Sequence, residues 1–218
     1  MSNLKDKVSP VTAQRVYGKK SVEDRVLERY ERLMAAGLEL FATQGYANTT
    51  IEAICAEARV TTRNFYQAFA GREALLLAVY NRIVEELQAG LLSAMLSEHG
   101  SLKEKIHSTT QALVQHYLND SRRARVGVLE VVGASPAIEQ RRREVIHGIA
   151  MHLQNLLDAL AVQHKIPQRN YHWLAVAVIG GVNELMAEWL MNPSLSLDEL
   201  TTEIVFAVKA LLYGVDIS

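Results

Sequence analysis

The sequence predicts an all-α protein of about nine helices, and three observations carry that prediction. Apolar residues recur at spacings of three and four along most of the 218 residues, and no stretch alternates over a useful strand length. Helix-start signals (Ser or Thr followed three residues later by Asp or Glu, or directly by Pro) and Gly or Pro stops cut the chain into helix-sized segments. Between Thr49 and Phe69, two short segments of this kind are joined by a tight turn. There is no internal repeat and no low-complexity stretch.

Residues 1–20 carry Lys5, Lys7, Arg15, Lys19 and Lys20, interrupted by Pro10 and Gly18, and read as a flexible basic arm. Such an arm either reaches a phosphate or a minor groove, or is a solvated tail; both readings stay open. Ser21-x-x-Asp24 starts helix 1, whose apolar stripe is Tyr30, Leu33, Gly37, Leu40 and Phe41, and Gly45 ends it. Thr49-x-x-Glu52 is the expected capping box of helix 2, which places Ile51, Ile54 and Ala58 on one face. The chain turns at Ala58-Arg59-Val60, Thr61 caps helix 3, and Phe65 and Phe69 point its apolar side inward. Helix 4 is expected from about Arg72 to about Glu98, with Leu75, Leu76, Val79, Ile83, Leu87, Leu91 and Met95 in helical period. It has no internal Pro and so can act as a rigid strut.

Ser101-x-x-Glu104 begins helix 5, over about 102–119, and helix 6 covers about 122–132. Ser135-Pro136, a cap followed by Pro at the first helical position, starts helix 7, which runs to about His164. Helix 8 spans about Arg169 to Met191 between Pro167 and Pro193. Ser196-x-x-Glu199 caps helix 9, which reaches about Tyr213.

The outward side of helix 3 shows Thr62, Arg63, Tyr66 and Gln67, with Asn64 at its edge. Arg forks onto guanine and Asn or Gln onto adenine, while Thr and Tyr hydroxyls suit phosphate oxygens. A helix-turn-helix lays its second helix in the major groove in this way. Arg72, at the start of helix 4, joins a positive side chain to free backbone N–H groups, which favours a phosphate. Net charge is −1, but residues 1–72 hold 11 Lys/Arg against 8 Asp/Glu (+3) and the remainder 12 against 16 (−4). A basic head on an acidic body is compatible with DNA.

The flanks extend this pattern. Ala35-Ala36-x-x-x-Leu40-Phe41-x-x-x-Gly45-Tyr46-x-x-Thr49-Thr50-Ile51-x-x-Ile54 precedes the turn; Ala58-x-Val60-Thr61, Phe65-Tyr66-x-x-Phe69 and Arg72-Glu73-x-Leu75 follow. Over roughly residues 25 to 77 the chain resembles the N-terminal domain of the tetracycline-repressor (TetR) family of bacterial transcription regulators. Three positions depart from that pattern. Arg59 stands where the family usually has Gly, which adds backbone strain. Arg63 stands in place of Gly or Ala, and Ala68 in place of His or Tyr; these imply a different operator sequence. Thr50 and Tyr66 look like the family's phosphate-contacting positions. The candidate DNA-binding residues are thus Thr50, Thr61, Thr62, Arg63, Asn64, Tyr66, Gln67 and Arg72. The expected organisation is the arm (1–20), a three-helix helix-turn-helix DNA-binding domain (21–71) and a helical ligand-binding and dimerisation domain (72–218).

Helices 8 and 9 are apolar nearly all round, from Trp173 to Leu185 and from Val205 to Leu212, and must be buried on more than one side. A homodimer pairing both helices with their symmetry mates as a four-helix bundle does this, and the resemblance implies the same. Two recognition helices about 34–36 Å apart then reach successive major grooves of a palindromic operator.

The resemblance also implies that the body binds a small-molecule effector whose binding releases DNA. Candidate pocket residues are Met95, Met151, Trp173, Met186 and Trp189, with His116, Asn183 and Glu184 as polar groups. Individually, each reads as plain packing or as a satisfied buried polar group; together they favour a largely apolar pocket between helices. Arg141-Arg142-Arg143 reads as a solvated charged face, and Cys55 as a small core residue.

Two Glu-x-x-His pairs, Glu104/His107 and Glu144/His147, raise a metal-dependent bundle enzyme as a competing class. Glu104 already serves a cap, however, and no further bridging carboxylates stand at matching depth. No metal, cofactor, phosphate loop or nucleophile elbow is expected. A regulator that binds DNA without an effector is a third class. No run of about 18 apolar residues and no signal peptide is seen, and one cysteine fits a reducing compartment; the expected location is the cytoplasm, with no membrane partner.

Overall fold

The computed structural model describes residues 21–96 and 102–214, and the arm expected over 1–20 lies outside them. The side chain of Met95 and the Ser101 cap fall outside the described residues too. Among the described residues the chain forms nine α-helices and no strand: α1 Val22–Gln44, α2 Ile51–Ala58, α3 Thr62–Ala68, α4 Arg72–Leu96, α5 Leu102–Leu118, α6 Ser121–Ala124, α7 Pro136–Val162, α8 His172–Met191 and α9 Leu197–Tyr213. A π-helical segment, Arg125–Glu130, follows α6 directly.

Local chemistry sets most boundaries. The Ser21 hydroxyl accepts from Asp24 N–H and the Asp24 carboxylate accepts from Ser21 N–H, both at 2.9 Å. Ser196 and Glu199 repeat the device at α9. Ser135 caps α7, with Pro136 in its first turn. Gly45 takes φ +82° and stops α1.

At α2 the expected cap is displaced by one residue. Thr50, not Thr49, is the N-cap, and its hydroxyl accepts from Ala53 N–H at 3.2 Å. Thr49 is buried, and its hydroxyl donates to the carbonyls of Gly45 (2.8 Å) and Leu40 (3.3 Å). The Gly45 carbonyl lies beyond the end of α1, where no helical N–H reaches it, and Thr49 is taken up in satisfying it.

Helix 6 departs further from expectation. The single helix expected over about 122–132 is one α turn that gives way to a π segment. Gly127 lies inside that segment, where a Cβ would come within 2.8 Å of Tyr117 Cε1 on α5. The segment thus presses backbone against an aromatic ring, which only glycine permits here.

α1, α2 and α3 form a head around Phe41, Ile54 and Phe65, all fully buried. α4 has 25 residues, so at 1.5 Å per residue it is about 37 Å long and carries the head into the body. It crosses α1 where Gly37 lies under Leu75; a Cβ on Gly37 would sit 3.0 Å from Leu75 Cδ2. Arg82 on α4 forks onto Glu31 on α1 at 2.6 and 2.9 Å. One apolar cluster runs from Leu33 in the head to Val208 on α9, while Leu157, Ala161 and Tyr171 form a smaller one.

α7 and α8 are long and apolar enough to cross a membrane by length and composition alone. The sequence has no unbroken run of 18 apolar residues; these helices reach their mean hydropathy with Gly, His, amide and acidic residues set among the apolar ones. In α8 only 28% of that window is buried within the chain, so an apolar helix keeps an open face.

Arg59, at φ +54° and ψ +48°, is the αL residue that turns α2 into α3. Arg59→Gly removes the Cβ conflict and is expected to stabilise the protein by about 0.5–1 kcal/mol, the relief being partly offset by a freer unfolded chain. Thermal unfolding then shows a higher midpoint; an unchanged or lower one contradicts the strain. Gly127→Ala drives a methyl into Tyr117 and should cost about 1–3 kcal/mol in the same measurement.

Candidate nucleic-acid interface

α3 has seven residues, too few to hold a helix in water without packing. Its N-terminus is closed by Thr61, whose hydroxyl accepts from Asn64 N–H at 3.2 Å. Its inner side is Phe65, with Phe69 just beyond its end, both buried. Phe69 stacks on Tyr30 of α1 with centroids 5.2 Å apart, and Phe65 meets Phe69 at 5.9 Å. With those rings inward, Thr62, Arg63, Tyr66 and Gln67 are exposed, and Asn64 is half-buried. Tyr66 leaves 57% of its surface open while its ring edge leans on Phe65 at 5.5 Å. The structure therefore brings Thr61, Thr62, Arg63, Asn64, Tyr66 and Gln67 together around one short helix.

The turn that aims α3 is held at both ends. The N–H groups of Arg59 and Val60 return to the carbonyls of Ala56 (3.2 Å) and Cys55 (3.0 Å). Arg32 on α1 donates to the Arg59 carbonyl at 3.4 Å. Cys55 is buried beneath the turn; burial pushes its thiol up, opposed by a hydrogen bond with Thr62, so it stays protonated as core.

Thr50 is exposed at the N-terminus of α2, where its hydroxyl serves as the cap. Arg72 has a different setting from the one expected. Its Nη1 donates to the carbonyls of Thr49 and of Ala47, the latter at 3.3 Å, and its guanidinium lies 4.5 Å from the centroid of the Tyr46 ring. It ties α4 to the turn before α2. Sequence spacing gives no signal of this, because the partners lie 23 to 26 residues away.

The candidate effector residues are scattered. Met186 is buried, Asn183 half-buried and Glu184 exposed on α8. Trp173 and Met151 leave 75% and 55% of their surfaces open. His116 places Nε2 3.1 Å from the Ile83 carbonyl, and burial holds its pKa below the ordinary histidine value, so it donates as a neutral ring. Trp189 donates to the Leu195 carbonyl at 2.8 Å and fastens the loop after α8. Met186 packs in the core, Trp173 and Met151 face outward, and the structure does not gather them around one space.

A groove of about 550 Å³ lies instead between α5 and α9, lined among others by His107, Gln111, Val114, Thr201, Phe206 and Lys209. None of the candidate effector residues lines it. The two Glu-x-x-His pairs do not converge either: Glu144 accepts from Gln140 at 3.1 Å and pairs with Arg141 at 3.5 Å. Among the described residues, no three His, Cys, Asp or Glu side chains come together as a metal site.

Comparison with known proteins agrees with this geometry. Residues 33–79 match the family model for bacterial regulatory proteins of the tetR family. The uncharacterized HTH-type transcriptional regulator YerO of Bacillus subtilis (strain 168) is 41% identical over 51 residues, 23% of this chain. The HTH-type transcriptional regulator TcmR of Streptomyces glaucescens is 38% identical over 61 residues, 28% of this chain. These matches span only 18% and 27% of the two relatives' own lengths. The fold reaches further: the transcriptional regulator FadR from Bacillus subtilis, solved in complex with stearoyl-CoA, superposes with a TM-score of 0.73 at 21% identity, covering 85% of this chain and 99% of that one. Such relatives and neighbours are transcription regulators and not enzymes. Residues 33–79 are thus an N-terminal domain of the kind found in bacterial regulatory proteins of the tetR family, on a chain whose whole fold is similar to that of such regulators.

Proposed function

We propose that this protein is a ligand-responsive transcription repressor of the bacterial cytoplasm, which binds a palindromic operator as a homodimer and lets go when a small, largely apolar effector enters its body. The observation that carries the reading is α3 itself. Phe65 has no exposed surface, and around it Thr62, Arg63, Tyr66 and Gln67 are exposed on a capped helix. That arrangement offers base-reading and phosphate-binding groups on a rigid element small enough for a major groove.

The dimer is supported by α8, whose apolar length is largely uncovered within one chain. Trp173, Ala177, Gly180, Glu184 and Glu188 are exposed along one side at spacings of three and four. A Cβ on Gly180 or Gly181 would meet nothing within 4 Å, so this side can take a closely packed partner helix. A symmetry mate bearing the same face on α8 and α9 covers it as a four-helix bundle. A largely apolar effector fits the helical body, and the related fold of FadR from Bacillus subtilis holds stearoyl-CoA.

A second reading, DNA binding without an effector, is favoured by the dispersal of Met151, Trp173, Met186, His116, Asn183 and Glu184. Screening small amphiphiles against the protein–DNA complex separates the two: a compound that dissociates the complex at a saturable site supports the repressor, and none doing so supports the second.

The DNA-binding reading is tested with a duplex enriched from a random-sequence library by the full-length protein. Arg63→Ala is expected to cost about 1–3 kcal/mol and to relax preference at one base position. Equal loss on every duplex would remove its base-reading role. Arg72→Ala should weaken all duplexes alike and also lower the melting temperature, because its guanidinium holds the carbonyls of Ala47 and Thr49. Ala177→Glu sets a charge on the exposed side of α8 and is expected to turn the dimer into a monomer in sedimentation equilibrium. A dimer unaffected by this change places the interface elsewhere.

A further inference from the structure

Besides Arg72 of α4, a carboxylate from deeper in the body holds the turn between α1 and α2. Glu130 is the last residue of the π segment, and its Oε2 accepts a hydrogen bond from Tyr46 N–H at 2.8 Å, across 84 positions of sequence. Tyr46 N–H follows the end of α1, where the chain has left helical geometry at Gly45. Gly45 also makes room for the carboxylate: a Cβ there would lie 3.3 Å from the same Oε2.

From this bond a continuous set of contacts leads to the reading helices. The Tyr46 ring meets Phe41 edge-on at 5.6 Å and lies under the Arg72 guanidinium. Arg72 holds the carbonyls of Ala47 and Thr49, and the next residue, Thr50, caps α2. α2 in turn carries α3 through the Arg59 turn. Two other ties join α1 to the body, Arg122 to Glu39 at 2.9 Å and Arg82 to Glu31. Both are partly exposed side-chain pairs, and neither holds backbone. The Glu130 bond differs: it is charge-assisted, partly buried, and made to backbone, so it fixes the chain itself.

We propose that Glu130 is a positioning residue for operator binding: its carboxylate, placed by the π turn that carries it, sets how the α2–α3 pair sits on the body. The inference rests on the operator-binding reading above. π segments are rare and occur mostly as single turns at functional positions. Returning residues 125–130 to α geometry changes the residue count per turn, and a one-residue shift of register rotates Glu130 by about 100°. Its carboxylate then leaves Tyr46, and the turn before α2 loses its anchor.

The test uses the full-length protein carrying Glu130→Ala, Glu130→Asp or Glu130→Gln, with a duplex enriched by the wild type. Three quantities are read: affinity by fluorescence anisotropy, exchange of the Tyr46 amide hydrogen, and melting temperature. Gln keeps an oxygen that accepts from Tyr46 N–H, so it should bind close to wild type and keep the amide protected. Asp falls one methylene short; it and Ala should lose about tenfold in affinity. Their Tyr46 amide should exchange faster, while the salt dependence of binding stays as in wild type because no phosphate contact is lost. Should Ala fail to fold, Asp and Gln still form the comparison. Wild-type affinity in Asp or Ala despite a fast-exchanging Tyr46 amide overturns the proposal, as does a loss in Gln equal to that in Asp, or losses that merely follow the melting temperature. A wild type that enriches no duplex overturns the operator reading instead and is recognised before any variant is made.

Discussion

Seven residues do not stay helical in water without help, because one turn must be nucleated for very few hydrogen bonds. α3 persists because Phe65 and Phe69 are driven into the head, against Tyr30 of α1 and the apolar side of α2. Everything attributed to its outer face depends on that burial. With Phe65 fixed inward, helical geometry leaves Arg63, Tyr66 and Gln67 no direction but outward. The side chains suited to DNA are thus placed by side chains that never meet it.

The same economy governs the joint between head and body. α1 ends at a glycine, which leaves backbone groups that α1 itself cannot satisfy. Thr49 answers the carbonyls of Gly45 and Leu40, Arg72 those of Ala47 and Thr49, and Glu130 the N–H of Tyr46. Each partner comes from a different element: the turn itself, α4 and the π segment. A turn of five residues therefore gathers three parts of the molecule, and α2 begins where it finishes.

The body is organised differently. Its inner side is a continuous apolar cluster shared with the head, closed by Tyr80, Leu87, Val114 and Ile204. Burial pushes the Tyr80 phenol up to about 12, so it sits there as a neutral ring. The outer side of α8 stays open, with Trp173, Ala177 and Gly180 exposed over its first half and Glu184 and Glu188 over its second. An apolar helix with an open face and glycines at its centre is what the proposed dimer would cover.

Residue order alone determined the nine-helix pattern, most caps, the turn at Arg59 and the outward face of α3. These are local matters: a capping hydroxyl, a glycine or proline stop and a 3.6-residue period act within one turn of helix. Tertiary structure decided the rest. Thr49 turned its hydroxyl to the Gly45 and Leu40 carbonyls at the end of α1 instead of capping α2, and Arg72 turned toward Tyr46 and the turn before α2. A regular helix 6 became partly π where Gly127 meets Tyr117, and Trp173 and Met151 faced outward where a pocket was expected. Helical period says which residues share a face, but not whether that face meets the core, a cavity or another molecule. That choice is made by packing between elements far apart in the chain.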